Sequence, residues 1–353
     1  MHEVFIRVDA NHKVGFGHLK RCLIIANFLR KKKCKVSFLI KGSKVAKQII
    51  NSQKFNFICI PELKNLKQQA NDFMNIITNR KSVIVTDIAH PLSFQDVEEL
   101  KFYFKTIKNN NKHVTFDGSG KESLREILTE VDCDILVAPY IGETASKKKI
   151  IYEELLGTKY YILDKEYLLK NKRKIRKNAK NILVTCGGSD PTFVTEHILQ
   201  ALHLCIEEIF NITVIVGPGF DSKYIDKVIK LTKKMSHQIT FCKSPSNLAK
   251  QMNECDFAIS TSGLTKYELA ATGTPSIILS IDNYHHIVNK SFSEKGSIIN
   301  LGVSEDISKL KLAETILAIK DDFIKRQQLS LAGQTLIDGK GTNRLAEKIV
   351  NLI

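Results

Sequence analysis

The sequence predicts an α/β protein built from two doubly wound domains with parallel sheets. Short β-branched runs alternate with amphipathic helical runs, the pattern of strands joined by right-handed helical crossovers. The alternation breaks once, at a strongly basic stretch, and then starts afresh. At 353 residues the chain also exceeds one ordinary core, so size alone predicts two domains.

In chain order, strand-like segments 4–8, 35–40, 55–60, 82–87, 113–116 and 134–138 are interleaved with helix-like segments that include 19–32, 43–52 and 96–109. Residues 164–180 hold Lys170, Lys172, Arg173, Lys174, Arg176, Lys177 and Lys180 and read as a basic linker. Strands then follow at 181–185, 211–216, 238–241, 256–260 and 276–281, alternating with helices at 192–208, 221–235, 245–253 and 265–272. The expected domains are 1–163 and 181–353, with a return of the last helix to the first domain left open.

Hydrophobic residues make up 43% and charged residues 25%, as in soluble globular proteins. Lys and Arg exceed Asp and Glu by 53 to 37, a net charge of +16, which raises the question of a polyanionic partner. The excess is scattered on helical faces or gathered in short runs such as Lys31-Lys32-Lys33 and Lys147-Lys148-Lys149. There is no zinc finger, aromatic RNA-binding signature or basic base-reading helix, so nucleic acid is not an expected partner; the excess reads first as a solvated surface and second as help in attracting a phosphorylated ligand. Eight cysteines stand singly, without a CxxC pair, and predict buried reduced thiols rather than disulfides or a metal site. With no leader-like pattern and no apolar run of membrane-spanning length, a cytoplasmic protein without membrane insertion is expected, with a monomer as the default state.

Open α/β sheets bind ligands beyond the carboxyl ends of their strands, so candidate residues lie in strand-to-helix loops facing a cleft. The first loop holds Asp9, then Gly15-Phe16-Gly17-His18, then Lys20 and Arg21. Glycines admit close backbone approach, a helix start favours an anion, and an imidazole moves protons; a plain turn with a capping histidine fits the same residues. Lys20 stands where a dinucleotide fingerprint needs its third glycine, so NAD is not expected, nor any other cofactor. The second loop, Cys186-Gly187-Gly188-Ser189-Asp190-Pro191, suits a phosphate cradle or, for Asp190 and Pro191, an N-cap and helix start. The third, Gly217-Pro218-Gly219, reads mainly as a turn. The fourth runs through Ser262, Gly263 and Leu264 into a helix carrying Glu268, a set able to meet a phosphate and the two hydroxyls of a ribose. In the fifth, Asp282-Asn283-Tyr284-His285-His286, adjacent histidines point different ways and lack a third ligand, so no metal is expected, while Asn283 suits a sugar or an ordinary turn.

Taken in order, Arg7-Val8-Asp9-Ala10, Gly15 to Leu23, Cys186 to Pro191, Ser262-Gly263 with Tyr267-Glu268-Leu269-Ala270, and Asp338-Gly339-Lys340-Gly341 resemble the nucleotide-sugar hydrolases of pseudaminic acid synthesis. These are relatives of the spore-coat polysaccharide biosynthesis proteins and of the lipid II-forming GlcNAc transferase. The resemblance spans most of the chain. It implies a GT-B fold of two Rossmann-like domains, the second holding UDP and the first supplying reacting groups. It also implies hydrolysis of UDP-2,4-diacetamido-2,4,6-trideoxy-β-L-altropyranose to UDP and free sugar. His18 falls on the family histidine that positions or deprotonates water, Asn283 on an active-site asparagine, and Ser262, Gly263 and Glu268 on the UDP side.

Three departures fall on the sugar side. The family's Asp-x-Tyr-Gly is Asp87-Ile88-Ala89-His90, its Asp-Asp becomes Asp117-Gly118, and its polar Asn/Asp segment becomes Ala138-Pro139-Tyr140. They keep a second reading in play, a glycosyltransferase using a UDP-amino sugar, and a third, a noncatalytic binder of nucleotide sugars or polyanions. His90 and Tyr140 are the candidates to replace the aromatic group lost at Ala89.

Overall fold

The computed structural model describes residues 3–10, 16–42, 44–60, 65–77, 82–88, 97–109, 111–118, 123–127, 131–146, 150–168, 171–245 and 247–353. The chain forms two units, Met1–Leu163 with Lys340–Ile353, and Asp164–Gly339.

The first unit holds strands β1 (Glu3–Ala10), β2 (Lys35–Gly42), β3 (Asn56–Cys59), β4 (Val83–Asp87), β5 (Lys112–Phe116), β6 (Ile135–Ala138) and β7 (Glu153–Leu156). They form one sheet in the order β3-β2-β1-β4-β5-β6-β7, with parallel pairing throughout. Its helices are α1 (Gly17–Lys31), α2 (Lys44–Ser52), α3 (Leu66–Ile76), α4 (Val97–Lys108) and the single turn α5 (Leu124–Ile127). Alternation along β1 shows how both faces are covered. Val4, Ile6 and Val8 join the cluster containing Leu19, Cys22 and Ala26 of α1, whereas Phe5 joins the one built on Phe73 of α3 and Phe104 of α4. Burial on both faces is why these strands read as near-continuous apolar runs.

The second unit holds β8 (Asn181–Thr185), β9 (Asn211–Val216), β10 (Gln238–Lys243), β11 (Phe257–Thr261), β12 (Ser276–Ser280) and β13 (Ile299–Val303), in the order β10-β9-β8-β11-β12-β13. Its helices are α6 (Val194–His203), α7 (Ser222–Thr232), α8 (Leu248–Glu254), α9 (Thr265–Ala271), α10 (Asn283–Glu294), α11 (Lys309–Asp321) and α12 (Phe323–Leu336). The last helix, α13 (Gly341–Val350), belongs to the first unit, where Leu345, Ala346 and Ile349 enter the core. A glycine is needed where it begins, because a Cβ at Gly341 would meet the Tyr161 carbonyl oxygen at 2.2 Å.

The basic stretch 164–180, expected to be a linker, is instead part of the second unit. Its arginines are spent on packing. Arg173 donates to the carbonyls of Met252 at 2.7 Å and Cys255 at 2.5 Å, and Arg176 pairs with Asp256 at 2.5 Å. The fully buried Arg326 in turn donates to the carbonyls of Arg176 and Lys177 at 3.0 and 2.7 Å. Among the cysteines, Cys22, Cys34, Cys133, Cys186, Cys205 and Cys255 are buried free thiols, Cys242 is half-buried and Cys59 is exposed.

Candidate functional site

In each sheet the chain reverses its direction of winding between two neighbouring parallel strands, and loops diverging there open a crevice at the strands' carboxyl ends. In the first unit the reversal falls between β1 and β4, whose register sets Val8 beside Asp87. The first turn of α1 follows β1, so His18 and Asp87 meet although 69 positions apart. Asp87 Oδ1 lies 2.7 Å from His18 Nδ1.

Arg21, one helical turn after His18, donates through Nη2 to Asp87 Oδ1 at 2.6 Å and through Nε to Oδ2 at 2.8 Å. Its Nη1 donates to the Tyr140 hydroxyl at 2.9 Å, and its guanidinium carbon lies 4.4 Å from the centre of the Phe116 ring. The Cys22 thiol, which burial pushes well up, donates weakly to Asp87 Oδ2 at 3.5 Å. Asp87 is 1% exposed. Burial alone would raise its carboxyl, but the Arg21 guanidinium and the His18 imidazole hold it well below the usual carboxylate range. An ionised carboxylate only accepts hydrogen bonds, so Nδ1 of His18 carries a proton, and in the neutral ring the lone pair is then on Nε2.

Asp9 is engaged nearby. Arg7 occupies an inward-facing position of β1, 2% exposed, and donates to Asp9 Oδ1 at 2.6 Å and Gln69 Oε1 at 3.0 Å. Gly17 and Lys20 are exposed on the start of α1; Gly15, Ala89 and His90 lie outside the described residues. Of the two candidates for the missing aromatic group, Tyr140 is tied to His18 through Arg21. Asp117 is structural: it accepts from the Leu124 amide at 2.5 Å, Ser123 Oγ at 2.8 Å and Arg125 Nε at 2.8 Å.

The second unit reverses between β8 and β11, tied where Ser260 Oγ donates to the Thr185 carbonyl at 2.6 Å. The loops after these strands hold Gly187, Gly188 and Ser189, all exposed, and Ser262, Gly263 and Leu264, of which only Ser262 is buried. The loop after β12 joins them through the Ile281 amide, which donates to Ser262 Oγ at 3.3 Å. Asp190 is resolved as a cap: it accepts from the Val194 and Thr195 amides at 2.9 and 2.8 Å and from the Tyr224 hydroxyl at 2.9 Å. Gly217-Pro218-Gly219 braces the second loop, with the Gly219 amide donating to the Gly188 carbonyl at 2.8 Å. Glu268, half-buried on α9, bonds the buried Tyr167 hydroxyl, whose phenol is pushed up by burial and by Glu268 and Glu166.

Asn283 is exposed at the start of α10. Asp282 caps that helix, accepting from the His285 amide and ring, each at 2.8 Å. Among the described residues no cluster of three His, Cys, Asp or Glu side chains is arranged to hold a metal ion, and no helix is long and apolar enough to cross a membrane.

Sequence reasoning placed His18 and Arg21 in the site, named Asp87 only as the start of the segment that departs from Asp-x-Tyr-Gly, and gave Phe116 no role. The signal available for Asp87 was positional, a carboxylate ending an apolar strand of a parallel sheet.

No family model matches the chain. Over 290 residues it is 30% identical to an uncharacterised protein of Methanocaldococcus jannaschii, an overlap of 78% of the chain and 55% of that protein. It is 26% identical over 355 residues to the spore coat polysaccharide biosynthesis protein SpsG of Bacillus subtilis, covering 99% of the chain and 98% of SpsG. It is 24% identical over 286 residues to the pseudaminic acid cytidylyltransferase and UDP-2,4-diacetamido-2,4,6-trideoxy-β-L-altropyranose hydrolase of Helicobacter pylori, covering 80% of the chain and 45% of that protein. The chain thus spans about half the length of the first and third relatives and nearly all of SpsG. SpsG and the Helicobacter protein are its homologues. Among solved structures, MurG of Acinetobacter baumannii is similar with a TM-score of 0.71 at 14% identity, covering 99% of the chain and 100% of MurG. MnaA of S. aureus, solved with UDP, is similar with a TM-score of 0.61 at 14% identity, covering 100% and 98%. The fold is GT-B, two Rossmann-like domains.

Proposed function

We propose that the chain hydrolyses a UDP-activated diacetamido-trideoxy sugar to UDP and the free sugar, a step toward nonulosonic acids such as pseudaminic acid. The observation that carries this reading is the 2.7 Å contact between His18 Nδ1 and Asp87 Oδ1, which leaves Nε2 as a proton acceptor. The homology to a protein bearing that hydrolase activity supplies the substrate class, and homology to SpsG agrees with a role in glycan synthesis.

In this reading Nε2 of His18 takes a proton from water as its oxygen bonds to the anomeric carbon of the sugar. The bond from that carbon to the β-phosphate oxygen breaks, and UDP leaves with the electron pair. Asp87 then faces an imidazolium and stabilises it, while Arg21 keeps Asp87 ionised and in place. Asp9, Gly15, Gly17 and Lys20 belong to the sugar side, Arg21 acting through Asp87. The amides of Gly187, Gly188, Ser189, Ser262, Gly263 and Leu264 meet the diphosphate, Glu268 the ribose hydroxyls, and Asn283 the sugar.

The test is to incubate the protein with a panel of UDP-amino sugars without acceptor and to follow UDP and free sugar. Equal release of both, abolished in His18→Asn, is the expected result. UDP release only when a glycan acceptor is added makes the protein a glycosyltransferase, with the same base acting on a sugar hydroxyl. UDP binding without any turnover makes it a binding protein. Calorimetry on Glu268→Ala checks the ribose placement: UDP affinity falls, and unchanged affinity refutes it.

A further inference from the structure

Lys266, on the first turn of α9, is 3% exposed. Its Nζ donates to two neutral acceptors, the Ser262 carbonyl at 3.0 Å and Asn289 Oδ1 at 2.9 Å. Asn289 is itself fully buried and donates to Ser280 Oγ at 2.9 Å, which fixes its oxygen toward the lysine. The ammonium also lies 5.1 and 5.9 Å from the centres of the Phe292 and Tyr267 rings. Burial pulls its pKa down to about 8, so it remains mostly charged near neutrality.

A buried ammonium costs several kcal/mol in desolvation, and an apolar side chain of similar volume is usually as good or better for stability. A charge kept here therefore calls for a use outside folding. What it touches is the peptide joining Ser262 and Gly263. A trans peptide is planar, with its carbonyl and its N–H on opposite sides. The Ser262 carbonyl is turned inward onto Lys266, so the Gly263 N–H is turned the other way. On that residue a Cβ would meet nothing within 4 Å, and the glycine is exposed. A cation on the carbonyl polarises the peptide and makes its N–H a stronger donor in a low-dielectric setting.

We infer that Lys266 is the buried counter-charge of an anion site at Gly263, polarising the Ser262–Gly263 peptide so that its N–H binds a phosphate of a nucleoside diphosphate. This rests on the UDP reading above and assigns to Lys266 a selective part in it: the charge acts on the diphosphate and not on the nucleoside. The roles it excludes are a plain core residue and a prop that merely shapes the turn.

The experiment measures binding of UDP and of uridine to wild type, Lys266→Met and Lys266→Gln by NMR titration, with thermal unfolding as the check on folding. Expected are a stability of Lys266→Met at or above wild type, a loss of UDP affinity of about tenfold or more, and uridine affinity within about twofold of wild type. Lys266→Gln, which retains a donor toward the Ser262 carbonyl without the charge, shows the same selective loss and serves if the methionine variant does not fold. UDP bound as tightly by both variants as by wild type, or UDP and uridine weakened alike, overturns the inference while leaving the UDP reading intact. Wild type that binds no UDP overturns the UDP reading itself, and the inference with it.

Discussion

His18 Nδ1 and Arg21 Nη2 share one oxygen of Asp87, at 2.7 and 2.6 Å. Two donors on one buried carboxylate oxygen fix the imidazole's tautomer and its ring orientation together. Neutral Asp87 would lose this selectivity, because its own hydroxyl could then donate to Nδ1 and move the ring proton to Nε2.

Asp87→Asn tests that relation. The amide donates to Nδ1 as readily as it accepts, so the tautomer with a protonated Nε2 becomes available and no anion remains to balance the imidazolium. The expected result is a fall in kcat on the order of a hundredfold or more, with KM and UDP affinity little changed. Equal falls in kcat and UDP affinity would mean that Asp87 maintains the fold of the unit and does not position His18.

Arg21 and Tyr140 separate by stability. Arg21→Ala leaves Asp87 buried without its main cation, a loss of about 3–5 kcal/mol. Tyr140→Phe removes only the hydroxyl that accepts from Arg21 Nη1 at 2.9 Å and costs about 1 kcal/mol. Urea denaturation of both variants gives the comparison; a Tyr140→Phe loss as large as that of Arg21→Ala would show that the hydroxyl, not the ion pair, holds the cluster.

Acid sensitivity of the first unit follows from His113. This residue is fully buried, with Nδ1 donating to the Asp132 carbonyl at 3.0 Å and Nε2 accepting from Thr86 Oγ1 at 2.9 Å. Burial pulls it from 6.5 down to about 4. Between those values the unfolded chain binds a proton that the folded chain does not, so stability falls as pH drops through that window, by about 3 kcal/mol in all. Asp87 contributes only below it, since its folded value is depressed from 3.8 and its stabilisation is lost as pH falls further. Denaturation of wild type and His113→Gln at several pH values between 7 and 4.5 checks this: the variant has the shallower slope, and parallel slopes would assign the titration to another group.

The alternating pattern disclosed both sheets because strands covered on both faces must be apolar in register with their helices. It failed at β7, whose Glu153 and Glu154 interrupt the apolar signal, and at α3, where only Leu66, Ala70 and Phe73 of a polar run reach the hydrophobic core, and it stopped at residue 281, short of α10, β13, α11 and α12. The basic stretch 164–180 read as a linker since charge in sequence implies solvent, yet backbone carbonyls of Met252 and Cys255 absorb Arg173. His18 was legible from its glycine turn, a local feature. The pairing of Asp87 and Tyr140 with Arg21 and the setting of Lys266 were not, because each depends on partners brought together by strand order and not by spacing in the chain.

The two glycine loops of the second unit make different demands, and substitution separates them. Gly187 has φ of +77° but open space around a built Cβ, so Gly187→Ala costs about 1 kcal/mol of backbone strain and leaves the loop in place. Gly217 is the reverse: a Cβ there would meet the Gly188 and Gly187 carbonyl oxygens at 2.4 and 2.6 Å, and backbone on both sides has nowhere to retreat without moving the loop. Gly217→Ala is therefore expected to destabilise more than Gly187→Ala and also to weaken UDP binding severalfold, because the displaced carbonyls belong to the same rigid peptides as the Gly188 and Ser189 amides proposed to meet the diphosphate. Thermal unfolding and UDP titration of the pair decide it. A Gly217→Ala variant that loses stability but binds UDP as wild type does would remove Gly187 and Gly188 from the nucleotide site.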